Sequence, residues 1–123
     1  MRKILVVDDE AGMGRIFERL LGERGEVTST TTGVEALDLV EEQTFDLILC
    51  DLNMPAMSGV EFYQGLEAKG YETGRIIFVT GGAFTAEDQA FVDGVDNPVL
   101  YKPFGINDLH NLVDDVLAVV ESG

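Results

Sequence analysis

Near-continuous apolar runs, separated by stretches of helical period, constrain this chain more than any other feature. Ile4–Val7, Phe45–Cys50 and Arg75–Thr80 carry apolar side chains mostly at successive rather than alternate positions. A strand with one wetted face alternates, whereas a strand covered on both faces does not. These three segments therefore read as strands of a parallel sheet with helices on either side. Glu26–Ser29 and Val99–Lys102 are less apolar and read as the second and fifth strands.

Helical patterns fill the gaps. Ile16, Phe17, Leu20 and Leu21 share one face, ending at Gly22 and Gly25; Val34, Leu37 and Val40 recur at intervals of three; and a long stripe runs from Ile106 through Leu109, Leu112, Val113, Val116 and Leu117 to Val120. Thr32…Glu35, Ser58…Glu61 and Thr85…Asp88 have the spacing of capping boxes at helix starts. The order βαβαβαβαβα fills residues 1–123 as one domain. With right-handed crossovers it gives a doubly wound, flavodoxin-like α/β fold of five parallel strands in the order 2-1-3-4-5. In such folds the functional crevice lies beyond the carboxyl ends of the strands.

Those ends carry residues that neither stripes nor turns explain. Strand one runs into Asp8-Asp9-Glu10, strand three into Asp51, strand four into Thr80 and strand five into Lys102-Pro103. Three carboxylates converging at one edge repel unless a cation neutralises them. Oxygen ligands alone select a hard ion, Mg²⁺ with Mn²⁺ as a substitute. A metal, an ammonium and a hydroxyl around one carboxylate suit phosphoryl transfer, which depends on positioning and on neutralising charge.

Taken together, Val6-Val7-Asp8-Asp9-Glu10, Asp51-Leu52-Asn53-Met54-Pro55 with Gly59, Val79-Thr80-Gly81 and Lys102-Pro103-Phe104 resemble a response-regulator receiver domain of two-component systems. The resemblance covers essentially the whole chain and is nearest to receivers attached to hybrid sensor histidine kinases. It implies that Asp51 is the phosphoacceptor, with Asp9 a direct metal ligand, Asp8 an outer acidic partner acting through water, and the main-chain carbonyl of Asn53 a third ligand. It implies that Thr80 and Lys102 contact the phosphoryl group and that the bond before Pro103 is cis. The implied phosphodonor is a histidine kinase or histidine phosphotransfer domain, separate from this domain or linked to it in cis as part of a sensor kinase, and the domain is a phosphoacceptor rather than an enzyme. Many receivers carry an aromatic switch residue where this chain has Val99. Output is then expected to run through Thr80 and the Gly81-Gly82-Ala83-Phe84 loop, with Tyr101 as a fixed surface contact.

Rival readings fit less well. A flavin carrier would want hydroxyls and glycines after strand one, where Asp8-Asp9-Glu10 would repel a phosphate. An aspartate-nucleophile phosphatase wants Asp-x-Asp where the chain has Asp51-Leu52-Asn53. A calcium loop lacks its glycine and distal Glu. With 23 acidic against 8 basic residues and a net charge of −15, the chain is expected to bind neither nucleic acid nor anionic membrane. The single cysteine, Cys50, reads as a buried small hydrophobe in a reducing, cytoplasmic setting. His110, the single histidine, reads as a solvated helix residue.

Overall fold

The computed structural model describes residues 2–81 and 85–122, with side chains described through residue 118. Strands β1 (Lys3–Val7), β2 (Glu26–Thr30), β3 (Leu47–Asp51), β4 (Ile76–Thr80) and β5 (Val99–Tyr101) alternate with helices α1 (Ala11–Leu21), α2 (Gly33–Glu42), α3 (Gly59–Ala68), α4 (Ala86–Gly94) and α5 (Ile106–Ser122). All strand pairs are parallel, in the order β2-β1-β3-β4-β5.

The sheet separates two apolar layers, and this is why its strands look continuously apolar. Leu5, Val7, Ile48, Cys50, Ile76 and Phe78 point to one face, where they meet Ala36 of α2 and Phe62, Tyr63 and Leu66 of α3. Ile4, Val6, Leu47, Leu49, Ile77 and Val79 point to the other, against Phe17 and Leu21 of α1 and Leu109, Val113 and Leu117 of α5. Successive strand residues serve opposite layers. Cys50 is fully buried, and burial pushes its thiol pKa far above the ordinary range, so it packs as an inert hydrophobe.

Several helix positions differ from the sequence expectation. Ile16, Val34 and Ile106 belong to apolar stripes, yet all three are exposed. Val34 and Ile106 lie in the first turn of their helices, and Ile16 lines the cleft described below rather than the sheet. Ser58 and Thr85 form complete capping boxes with Glu61 and Asp88. At α2 only half of the box forms. Thr32 Oγ1 accepts from the Glu35 N–H, but the Glu35 carboxylate turns back to take a 2.7 Å bond from Thr30 Oγ1, a hydroxyl buried at the end of β2.

His110 is not a solvated helix residue. It is half-buried, and its Nε2 lies 2.9 Å from the Leu20 carbonyl near the end of α1. The last carbonyls of a helix lack intrahelical donors, and His110 supplies one from α5. Beside it Arg24 makes two bonds to Asp114, at 2.8 and 3.2 Å. The pair is largely exposed and adds little stability, but it fixes the same α1–α5 seam.

Candidate phosphoacceptor site

Parallel strands bring all their carboxyl ends to one edge, and the ladder continues past them. Leu52 N–H donates to Val79 O at 2.9 Å, and Lys102 N–H donates to Thr80 O at 2.7 Å. Asp8 and Asp9 follow β1, Asp51 ends β3, Thr80 ends β4, and Lys102 follows β5. Asp8, Asp9 and Asp51 each present an oxygen within 4.8 Å of the others. Asp8 and Asp51 are buried and Asp9 is exposed.

Lys102 answers this negative charge. Its Nζ lies 3.0 Å from Asp8 Oδ2 and 3.4 Å from Asp51 Oδ2. Asp8 thus bonds directly to the lysine through Oδ2, and its Oδ1 also accepts from the Glu10 N–H at 2.9 Å. Asp51 Oδ1 accepts from the Asn53 N–H at 3.0 Å. Burial pushes the Asp51 carboxyl above its usual range. The Asn53 N–H and the Lys102 charge pull it back, and the Asp8 charge works with burial, so the net shift is upward. Burial also works against the Lys102 ammonium, but the hydrogen bond to Asp8 and the charges of Asp51 and Asp8 outweigh it, and its pKa is raised.

Two glycines allow this packing. A Cβ on Gly81 would lie 2.5 Å from Lys102 Cβ, and one on Gly59 would lie 2.5 Å from the Asp51 carbonyl oxygen. Only hydrogen fits at either place. The Lys102–Pro103 bond is cis, as expected. The turn leading to α3 bends at Ala56, whose φ of 68° is unusual for a residue with a side chain. The site opens into a cleft of about 590 Å³ lined by Asp9, Asp51, Asn53 and Lys102, with Met13, Ile16 and Phe104 along an apolar side.

Sequence reasoning missed that apolar side, because exposed Ile16 looked like core. It also missed the Asn53 side chain, whose Nδ2 lies 3.4 Å from Thr80 Oγ1. Of the output residues, Val99 is half-buried against the layer containing Phe78 and Phe91, and Tyr101 is exposed. Gly82, Ala83 and Phe84 lie outside the described residues.

The sequence model of the response regulator receiver domain matches residues 4–114. The chain belongs to the response regulator receiver family. It is a receiver domain of two-component signalling. It is 32% identical over 118 residues to the response regulator receiver protein CpdR of Brucella abortus, covering 95% of this chain and 98% of that one. It is 38% identical over 120 residues to a CheY chemotaxis protein homologue of Campylobacter jejuni, covering 94% and 92% respectively. Among solved structures, Vibrio cholerae CheY4 superposes with a TM-score of 0.82 at 30% identity, covering 95% of this receiver and 99% of that chain. The receiver domain of sensor histidine kinase PA1611 from Pseudomonas aeruginosa, with a magnesium ion coordinated in its active site cleft, gives a TM-score of 0.79 at 27% identity, covering 95% and 98%. Among the described residues no helix is long and apolar enough to cross a membrane.

Proposed function

We propose that this receiver accepts a phosphoryl group onto Asp51 from a phosphohistidine, in a Mg²⁺-dependent reaction, and changes conformation at its β4–β5 face. The observation that carries the reading is the meeting of Asp51 with two further carboxylates and the Lys102 ammonium at the strand ends. The donor is a histidine kinase or histidine phosphotransfer domain, separate or in cis to a sensor kinase, and the setting is cytoplasmic.

The donor set fits a hard divalent cation, because every available ligand is oxygen. Asp8, Asp9, Asp51 and the Asn53 main-chain carbonyl would hold Mg²⁺, which would supply positive charge to the phosphoryl oxygens. An Asp51 carboxylate oxygen attacks phosphorus while the P–N bond to the donor imidazole breaks, and the imidazole keeps the electron pair and takes up a proton. The Asn53 N–H holds Asp51 Oδ1 and so fixes the carboxylate plane. Lys102 turns from Asp8 and Asp51 toward a phosphoryl oxygen, and the Thr80 hydroxyl donates to another. Movement of Thr80 and of Gly81 beyond it then carries the change to the β4–β5 face.

Intact-mass measurement tests the reading. With Mg²⁺ and acetyl phosphate the wild type gains one phosphoryl group and Asp51→Ala gains none. An equal mass gain in the variant refutes the assignment.

A further inference from the structure

The side chain of Asn53 has no part in the scheme above, which uses only its main-chain N–H and carbonyl. Yet it spans the gap between the phosphoacceptor loop and the end of β4, and its Nδ2 donates to Thr80 Oγ1 at 3.4 Å. Thr80 is 2% exposed, so water does not readily replace that partner. Asn53 is half-buried and lines the cleft into which a phosphoryl group on Asp51 would project.

We propose that the Asn53 side-chain amide is a resting-state latch on Thr80, displaced when a phosphoryl group arrives, and so a positioning residue that sets how readily Thr80 responds. The inference deepens the phosphoacceptor reading and rests on it. In the resting state the Thr80 oxygen is an acceptor, held by a neutral amide. Facing a phosphoryl oxygen, the same hydroxyl becomes a donor to a charged acceptor, a stronger bond than the one it leaves. The 3.4 Å separation is longer than the usual N–H···O range of about 2.7–3.2 Å, so the bond is weak, which suits a contact made to be broken. Deleting the amide leaves a buried hydroxyl short of a partner in the resting state alone. The resting state rises in free energy, the phosphorylated state does not, and the response becomes easier. Asn53→Ala isolates this effect, because it keeps both the N–H that holds Asp51 and the main-chain carbonyl.

Beryllofluoride with Mg²⁺ serves as the phosphoryl probe, its affinity measured by titration calorimetry for wild type, Asn53→Ala, Thr80→Val and the double variant. A hydrogen bond of this kind predicts that Asn53→Ala binds the probe about two- to fivefold more tightly than wild type. In the Thr80→Val background the same change should have no effect, because no hydroxyl is left to latch. Thr80→Ala replaces Thr80→Val in the cycle if the valine does not fold. The Asn53 side-chain amide resonances of the wild type should also shift on probe binding. Unchanged or weaker affinity in Asn53→Ala, or equal tightening with and without the Thr80 hydroxyl, overturns the latch while leaving the phosphoacceptor reading intact. Failure of the wild type to bind the probe any better than Asp51→Asn overturns that reading, and the latch with it.

Discussion

Replacing Lys102 with methionine in metal-free protein keeps the stem that packs beside Gly81 and removes the ammonium that faces two carboxylates. Those carboxylates belong to Asp8 and Asp51, residues only 3% and 5% exposed, at 3.0 and 3.4 Å from Nζ. Removing one partner of a fully buried ion pair costs about 3–5 kcal/mol. The Lys102 side chain is 21% exposed and the cleft is open, so water offsets part of the loss. An expected cost of about 2 kcal/mol follows, and for a domain of this size that lowers Tm by roughly 6–10 °C. The loss should depend on pH with a definite sign. Burial already raises the folded-state Asp51 carboxyl and the Lys102 charge opposes this, so without the ammonium it rises further and the penalty is full at neutral pH. It fades as the pH falls through the raised Asp51 value toward the ordinary aspartate range. Urea melts of both proteins in EDTA, at neutral pH and at mildly acidic pH, measure this directly. Equal stability at pH 7, or a deficit that grows on acidification, would refute the electrostatic account.

Other perturbations probe the same edge of the sheet. Asp51→Asn in chelator should be more stable than wild type at neutral pH, because burial raises the Asp51 carboxyl above its unfolded value and the ionised form costs stability there. That advantage should shrink as the pH falls through the raised value, and melts across pH check it. Gly81→Ala should cost about 1–3 kcal/mol in a denaturant melt, since its new methyl meets Lys102 Cβ rather than a flexible chain end. It should also slow acetyl phosphate labelling by shifting the ammonium. Saturating Mg²⁺ should raise the wild-type Tm, with about 2.7 kcal/mol available at 100-fold excess over Kd. Asp9→Ala should lose most of that gain, which differential scanning fluorimetry reads. For output, Phe84→Ala should uncouple probe binding from partner binding while Val99→Ala leaves it coupled, and the reverse result would move the switch to β5.

The elements were legible because a parallel sheet covered on both faces leaves little freedom. Ile4 through Val7 must all be apolar, and no helix stripe imitates four such positions between a basic start and an acidic end. The site was legible for the same reason, since Asp8, Asp51, Thr80 and Lys102 interrupt apolar runs at places that core packing cannot explain. What the sequence hid is where one residue has two equally local choices. Glu35 has the right spacing to complete a cap on Thr32, but the buried Thr30 hydroxyl two residues before Thr32 competes for the same carboxylate and wins it. His110 falls on the polar side of its helix, and only the tertiary approach of α1 shows that this side meets the free carbonyl of Leu20. Ile16 fits the stripe of α1 by period, but the helix turns that position toward the cleft rather than the sheet.

The charges at the strand ends tie stability to signalling. Asp8, Asp9 and Asp51 with Lys102 leave two negative charges at the site, the complement of one divalent cation. Metal would therefore neutralise the cluster, and phosphorylation would unbalance it again, since an acyl phosphate carries about one charge more than the carboxylate it replaces. The new charge faces an ammonium already shared with Asp8. Lys102 can follow it only by loosening the 3.0 Å bond to Asp8, and its backbone is hydrogen-bonded to the Thr80 carbonyl. On the proposed mechanism a shift of Lys102 would pass through that bond to the end of β4, where the Thr80 hydroxyl would be drawn toward the same group. Gly81, packed against Lys102 without a side chain of its own, lets the two strand ends move together. The added phosphoryl charge, by drawing Lys102 away from Asp8, would on this mechanism supply the driving force for the response.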